Sequence, residues 1–250
     1  MSYFNYHNQN IFFWEIGLGP PLIFLHGNTA SSKMFEMLLP LYKDNFKVIL
    51  IDFLGNGHSD RMEDIPSELW YEEAMQTIAL IEHLGYAQVN LVGTSGGAWA
   101  AVNAALERPE LVNKVIADSF DGRTLHDGFA EDLLSERNRA KKDVQAVQFY
   151  EWCQGADWEA VVDADTQALL QFVSLKRPIF HKPLSSLQMP ILFMGSREDT
   201  MVREDLADEY RKMADIVVRG AVHLFDAGGH PAILSNAEAA AKVIQQFINK

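Results

Sequence analysis

The chain has 250 residues, of which 48% are hydrophobic and 22% charged, so it is neither a polar disordered chain nor too short to bury a core without staples. Its 34 acidic residues outnumber 21 basic ones, and a formal charge of -13 repels a phosphate backbone, which sets nucleic acid aside as a partner. A single cysteine, Cys153, excludes an intramolecular disulfide and a thiolate metal cluster; we expect a buried bystander thiol in a cytoplasmic protein.

Residues 1–10 carry neither a basic segment nor a long apolar one, so no export signal is expected. Residues 11–16 read as an antiparallel edge strand. Short, near-continuous apolar runs follow at 21–25, 46–51, 89–92, 114–117 and 190–194. Strands covered by helices on both faces need such runs, and we predict parallel strands there. Helical patterns at 32–42, 68–84 and 97–108 alternate with them, which is the order of an α/β sheet. Residues 84–106 hold no charge, yet Gly93-Thr94-Ser95-Gly96-Gly97 interrupts them, so two short elements and a turn are expected in place of a membrane span.

The alternation breaks after Phe120. Residues 121–183 show only helical patterns, at 129–142, 144–153 and 158–175, with Phe149, Tyr150, Trp152, Trp158 and Phe172 supplying aromatic surface. Such a length exceeds an ordinary loop and predicts a helical cap. Strand-like sequence resumes near 189, then at 216–218 and 222–225, and 237–249 reads as a closing helix. The expected organisation is one sheet domain of residues 1–120 and 184–250, interrupted by a cap of residues 121–183.

Gly93-Thr94-Ser95-Gly96-Gly97 lies between a predicted strand and a predicted helix, which is the setting of a G-x-S-x-G nucleophile elbow. Small residues on either side of Ser95 let strand and helix approach closely, and the helix start aims N–H groups at the reacting centre. The Gly96 N–H is therefore a candidate oxyanion donor. Asn28, in the loop Leu25-His26-Gly27-Asn28 after an earlier strand, is the candidate for the second. A serine nucleophile needs a histidine base oriented by a carboxylate. His230, in Gly228-Gly229-His230-Pro231 between the last strand and the last helix, is the preferred base. His26 reads as a loop support and His223 as a strand residue, while His58, His126 and His181 read as surface or pocket lining. Asp199, in Gly195-Ser196-Arg197-Glu198-Asp199, is the preferred acid; Glu198 and Asp118 are its rivals.

Taken together, His26-Gly27, the stretch from Asp52 to Ser59, the serine elbow, Arg108-Pro109-Glu110, Asp199 and Gly229-His230 resemble the α/β-hydrolase family across nearly the whole chain. The resemblance implies a mostly parallel eight-stranded sheet flanked by helices, with a helical cap after the sixth strand. It also implies acyl transfer from a carboxylic ester or related bond to water, with Ser95, Asp199 and His230 as triad, Asn28 and Gly96 as oxyanion hole, and no metal or organic cofactor. A serine where epoxide- and halide-processing relatives carry aspartate argues against those chemistries. Carbon–carbon bond hydrolases are the runner-up, because Pro231 and Asn28-Thr29 depart from their usual Gly-His-Trp and longer oxyanion loop. A triad-retaining small-molecule receptor with little turnover is the reading from another class. Aminopeptidase relatives usually carry a bulky residue where this chain has Gly96, although Glu131 or Asp132 in the cap offers acids for an amine. The cap aromatics suggest a small apolar acyl substrate, and Met34 and Phe35, just beyond the oxyanion loop, read equally as lining of the same pocket or as core; oligomeric state is not legible.

Overall fold

Eight strands form one sheet in the computed structural model of the chain, which describes residues 2–62 and 65–250. In chain order they are β1 (Ser2–Tyr6), β2 (Gln9–Ile16), β3 (Pro21–Leu25), β4 (Lys47–Ile51), β5 (Val89–Thr94), β6 (Val112–Asp118), β7 (Ile191–Ser196) and β8 (Gly220–Phe225). Across the sheet they run β1-β2-β4-β3-β5-β6-β7-β8. The β1/β2 and β2/β4 pairs are antiparallel and all the others parallel.

Two expectations need correction. The strand expected at the edge, 11–16, is the second strand; β1 lies outside it. Only Phe4 of β1 is buried, so the segment lacks an apolar pattern, but His7 and Asn8 take positive φ and close the tight hairpin. Residues 216–218 are not a strand: helix α7 (Leu206–Ile216) runs to Ile216, and β8 starts at Gly220. Val217 packs into the core while Val218 is exposed, so the valine pair belongs to a turn and not to a ladder.

The central strands bury both faces, which is why their sequences show no polar alternation. Ile23, Leu25, Ile49, Ile51, Leu91, Val115 and Phe193 pack on the side of helices α2 (Leu69–Leu84) and α3 (Gly96–Glu107). Leu22, Phe24, Val48, Leu50, Val92, Ile116 and Leu192 pack on the other side. A 3-10 turn (Ser32–Leu38), the short α1 (Leu39–Tyr42) and α9 (Ala237–Asn249) cover that face. Met34 and Phe35 are buried there, which makes them core residues.

Between β6 and β7 the chain forms α4 (Phe129–Ala140), α5 (Val144–Gln154) and α6 (Trp158–Ser174), close to the predicted helices. Tyr150, Trp158, Val162 and Ala140 form a small cluster of their own, joined by Phe149. The end of α5 is tied to the segment after β3 by hydrogen bonds: Ser31 Oγ donates to Cys153 O at 3.0 Å, and Lys33 Nζ to Trp152 O at 2.7 Å. Arg61 reaches Gln154 O at 2.6 Å. The short α8 (Ala232–Ser235) precedes α9. Among the described residues, no helix is long and apolar enough to cross a membrane.

Candidate active site

The sequence-selected residues sit at the carboxyl ends of parallel strands, where open α/β sheets place their ligand crevices. Asn28 follows β3, Ser95 follows β5, and Asp199 and His230 follow β7 and β8. Asn28, Ser95 and His230 line one cavity of about 320 Å³.

Ser95 occupies φ 53°, ψ -125°, a backbone conformation that side-chain-bearing residues seldom adopt. Crowding explains how it is held. A Cβ on Gly93 would lie 2.0 Å from Gly97 O, and one on Gly97 would lie 2.3 Å from Leu25 O. Only glycines let β5, α3 and the end of β3 approach this closely. The Ser95 N–H donates to Asp118 O at 2.8 Å, and Ser95 O accepts the Ala98 N–H at 2.9 Å. The turn is thereby tied to both β6 and α3.

His230 Nδ1 lies 2.8 Å from Asp199 Oδ2, with the carboxylate fully buried. Since a carboxylate only accepts, Nδ1 carries the proton, so that in a neutral imidazole Nε2 is the nitrogen with the free lone pair. Asp199 Oδ1 meanwhile accepts the Met201 N–H at 2.9 Å, which fixes the carboxylate within its own turn. Neither Ser95 Oγ nor His230 Nε2 takes part in a hydrogen bond among the described residues; both belong to residues lining the cavity. Catalytic hydrogen bonds commonly tighten only when substrate binds.

The rival acids are engaged elsewhere. Asp118 Oδ2 accepts from Thr94 Oγ1 at 2.8 Å and from the Ile233 N–H at 3.1 Å, and burial pushes its carboxyl up to about 7. Together with Ser119, whose Oγ accepts the Ala232 N–H at 2.8 Å, it anchors the segment just after His230. Glu198 accepts the Gly228 N–H at 3.2 Å and so ties the acid loop to the histidine loop.

The remaining histidines fall mainly into supporting places. Buried His26 donates from Nδ1 to Gly27 O at 2.9 Å and accepts the Phe53 N–H at Nε2, 3.0 Å, which holds the loop carrying Asn28. Burial lowers its readiness to take a second proton. His58 lies against Asp52, His181 stacks on Tyr71, and His223 packs beside Phe225 in β8. His126 does line the cavity, between Asp121 at 2.6 Å and Asp132 at 3.3 Å.

The Asn28 and Gly96 N–H groups form no hydrogen bond among the described residues, and the two residues abut. A Cβ on Gly96 would lie 2.2 Å from Asn28 Oδ1 and 2.8 Å from Trp70 Nε1. The space that a bulky residue after the serine would fill is therefore taken by Asn28 and Trp70. Trp70 and Trp99 lie 4.1 Å apart with their rings tilted by 38° and, with Phe120, Phe129, Leu133 and Leu169, form the apolar wall. Phe149, Tyr150, Trp152, Trp158 and Phe172 are not part of the lining; Phe172 packs behind Trp70 at 5.0 Å. Helix α4 supplies polar lining as well, Asp132, Glu136, Arg137 and Arg139, alongside its own Phe129 and Leu133. Glu131 is exposed and outside the lining.

Trp70 escaped the sequence reading, as did the buried charged residues Glu73, Arg137 and Asp165. Their signal was a charge on an apolar helix stripe, such as Asp165 between Val161 and Leu169. Among the described residues, no cluster of His, Cys, Asp and Glu is placed to hold a metal ion.

A model of the alpha/beta hydrolase fold family matches residues 20–176. The chain is 30% identical over 217 residues to 2-(acetamidomethylene)succinate hydrolase of Mesorhizobium japonicum, covering 82% of this chain and 72% of that one. Its fold resembles that of E-2-(acetamidomethylene)succinate hydrolase, with a TM-score of 0.76, 23% identity, and 98% and 97% of the two chains covered. It also resembles that of carboxylesterase CesB from Bacillus subtilis, with a TM-score of 0.73, 20% identity, and 99% and 90% covered.

Proposed function

Because the chain belongs to the α/β-hydrolase fold family, we propose that it is a serine hydrolase of small carboxylic esters or closely related acyl compounds. One observation carries this reading: a strained serine at a helix start and a histidine bound to a buried carboxylate line the same cavity. In this mechanism Ser95 Oγ attacks the acyl carbon while His230 Nε2 takes its proton, and Asp199 holds the imidazole and stabilises its charged form. The Gly96 and Asn28 N–H groups receive the developing oxyanion, assisted by the N-terminal end of α3. The imidazolium then protonates the leaving group. Water, deprotonated by the same histidine, cleaves the acyl-enzyme and restores Ser95.

The helices α4, α5 and α6 serve as a cap over this centre, since α4 supplies one wall of the cavity. A volume near 320 Å³ lies at the small end of ligand pockets. The acyl group packs against Trp70, Trp99 and Phe120, and the leaving group faces the polar side chains of α4. Cleavage of an acetamido compound, as the name of the Mesorhizobium relative indicates for that enzyme, is compatible with this division.

The test is turnover and labelling. The native protein should hydrolyse p-nitrophenyl acetate over many cycles and react with a fluorophosphonate probe, and Ser95→Ala should lose both. Turnover that survives Ser95→Ala overturns the proposal, and a single stoichiometric acylation with no further cycles identifies a receptor.

A further inference from the structure

Three helices each carry a charge on the stripe they otherwise fill with buried side chains. Glu73 lies on α2 beside Trp70 and Thr77, Arg137 on α4 between Leu133 and Ala140, and Asp165 on α6 between Val161 and Leu169. Charges in such places are costly unless paired. Arg137 and Asp165 meet as a pair, whereas burial pushes the Glu73 carboxyl well above its ordinary value. Arg137 Nη2 donates to Asp165 Oδ1 at 3.3 Å, and Arg137 Nη1 to Glu136 at 2.8 Å and to the Tyr150 hydroxyl at 3.3 Å.

The remaining oxygen of Asp165 leaves the cap altogether. Asn28 Nδ2, 137 positions earlier in the chain, donates to Asp165 Oδ2 at 2.6 Å. The other end of the same amide is held as well, because Trp70 Nε1 donates to Asn28 Oδ1 at 3.0 Å. With both ends fixed, the Asn28 side chain has no free rotamer and its backbone is held in place. That backbone precedes Thr29, itself at φ 58°, so the loop is in a conformation that needs support from outside. The same amide oxygen fills the space next to Gly96 that a Cβ would enter.

We propose that Asp165 is a positioning residue that sets the oxyanion hole through the Asn28 side chain, so the hole is complete only when α6 is seated on the sheet domain. The proposal rests on the reading of Asn28 and Gly96 N–H groups as oxyanion donors. Asp165 touches no reacting atom in it. Its effect falls on the tetrahedral transition state, because the oxyanion needs both donors aimed at one point while ground-state substrate binding does not.

A donor–acceptor exchange tests this. In Asn28→Asp two carboxylates meet, and in Asp165→Asn two amide NH₂ groups meet. In the double variant Asn28→Asp/Asp165→Asn the new carboxylate accepts from Trp70 and from the amide at 165, whose oxygen still accepts from Arg137. Each single variant should lower kcat on p-nitrophenyl acetate about 10- to 100-fold with KM changed less than about 3-fold, and the exchange should recover most of that loss. The proposal is overturned if Asp165→Asn keeps kcat within about twofold, if the loss lies in KM, or if the exchange is no faster than the singles. Asn28→Ala, at a partly exposed position and with the Asp165–Arg137 pair intact, covers the case in which a single variant does not fold; unchanged kcat there also overturns it. Ser95→Ala, assayed alongside, separates the two readings. Turnover lost in Ser95→Ala but kept in the network variants defeats only the role of Asp165, whereas turnover kept in Ser95→Ala defeats the serine mechanism beneath it.

Discussion

His230 Nδ1 lies 2.8 Å from Asp199 Oδ2, and the carboxylate it meets is fully buried. The contact brings His230 to an acid in the loop after β7, whereas Asp118, buried at the end of β6, spends Oδ2 on Thr94 and the Ile233 N–H. In the proposed mechanism, Asp199→Asn should lower kcat about 1,000- to 10,000-fold, because an amide stabilises neither the required tautomer nor the imidazolium. Asp118→Asn should cost less than about 10-fold, acting only through the segment after His230. Steady-state assays of both variants on one activated ester decide the matter. Near-normal turnover in Asp199→Asn would move the acid role to Asp118.

Asp118 should instead contribute to the response of stability to pH. Burial raises its carboxyl to about 7 from an ordinary 3.8, ahead of the opposing hydrogen bonds from Thr94 and Ile233. Between these two values the folded chain keeps a proton that the unfolded chain has released. The contribution is thus fully present below about pH 4 and lost as pH rises through 7, with an upper limit on the order of 4 kcal/mol. Asp118→Asn imitates the neutral acid, so its urea midpoint relative to wild type should rise between pH 5 and pH 8.5. A constant difference between the two proteins across that range would contradict the assignment.

Cys153 should be chemically silent in the folded protein. Its side chain is 1% exposed, and burial pushes the thiol up to about 11 despite the hydroxyl of Ser31 nearby. Thiolate is the reactive form, so iodoacetamide at pH 8 should leave the native chain unmodified and add one carbamidomethyl group after denaturation in urea. Mass spectrometry reads both states, and rapid labelling of the native protein would show that the end of α5 opens readily.

The sheet was legible because its central strands are apolar on both faces and its catalytic candidates lie in loops just beyond those strands. Ser95 and Asp199 each follow an apolar run that forms a fully buried strand, whereas His230 follows β8, a partly exposed edge strand. The hairpin β1–β2 was hidden because Phe4 alone of β1 faces inward, and the turn at His7-Asn8 contains no glycine. The cavity wall was hidden for a different reason: of the aromatic residues that stood out between 121 and 183, Phe149, Tyr150 and Trp158 pack together and Phe172 packs behind Trp70, while Trp70 and Trp99 come from α2 and α3. Asp165 and Arg137 are conspicuous only once the buried face of each helix is known, because on an amphipathic helix most charges mark the solvated side.

Two glycines near the site should respond oppositely to alanine. Gly93 lies one residue before the end of β5, where a Cβ would sit 2.0 Å from Gly97 O and 2.8 Å from Ala98 Cα, both backbone atoms of α3. Gly229 precedes the proposed base and does not take a positive φ, and a Cβ added there would meet no atom within 4 Å. Gly93→Ala must therefore push α3 away from the sheet and disturb the Ser95 turn. A destabilisation of about 1–3 kcal/mol or more is expected, a fall of roughly 2–12 °C in melting temperature for a chain of this size. Gly229→Ala should leave the melting temperature unchanged or slightly raised, because it restricts only the unfolded chain. Turnover should follow the same order, with Gly93→Ala losing activity even where it folds, since the Ser95 conformation depends on that contact. Thermal unfolding of the pair, with ester turnover measured well below both transitions, separates loss of fold from loss of geometry. Equal tolerance at the two positions would mean that β5 and α3 do not need their close approach.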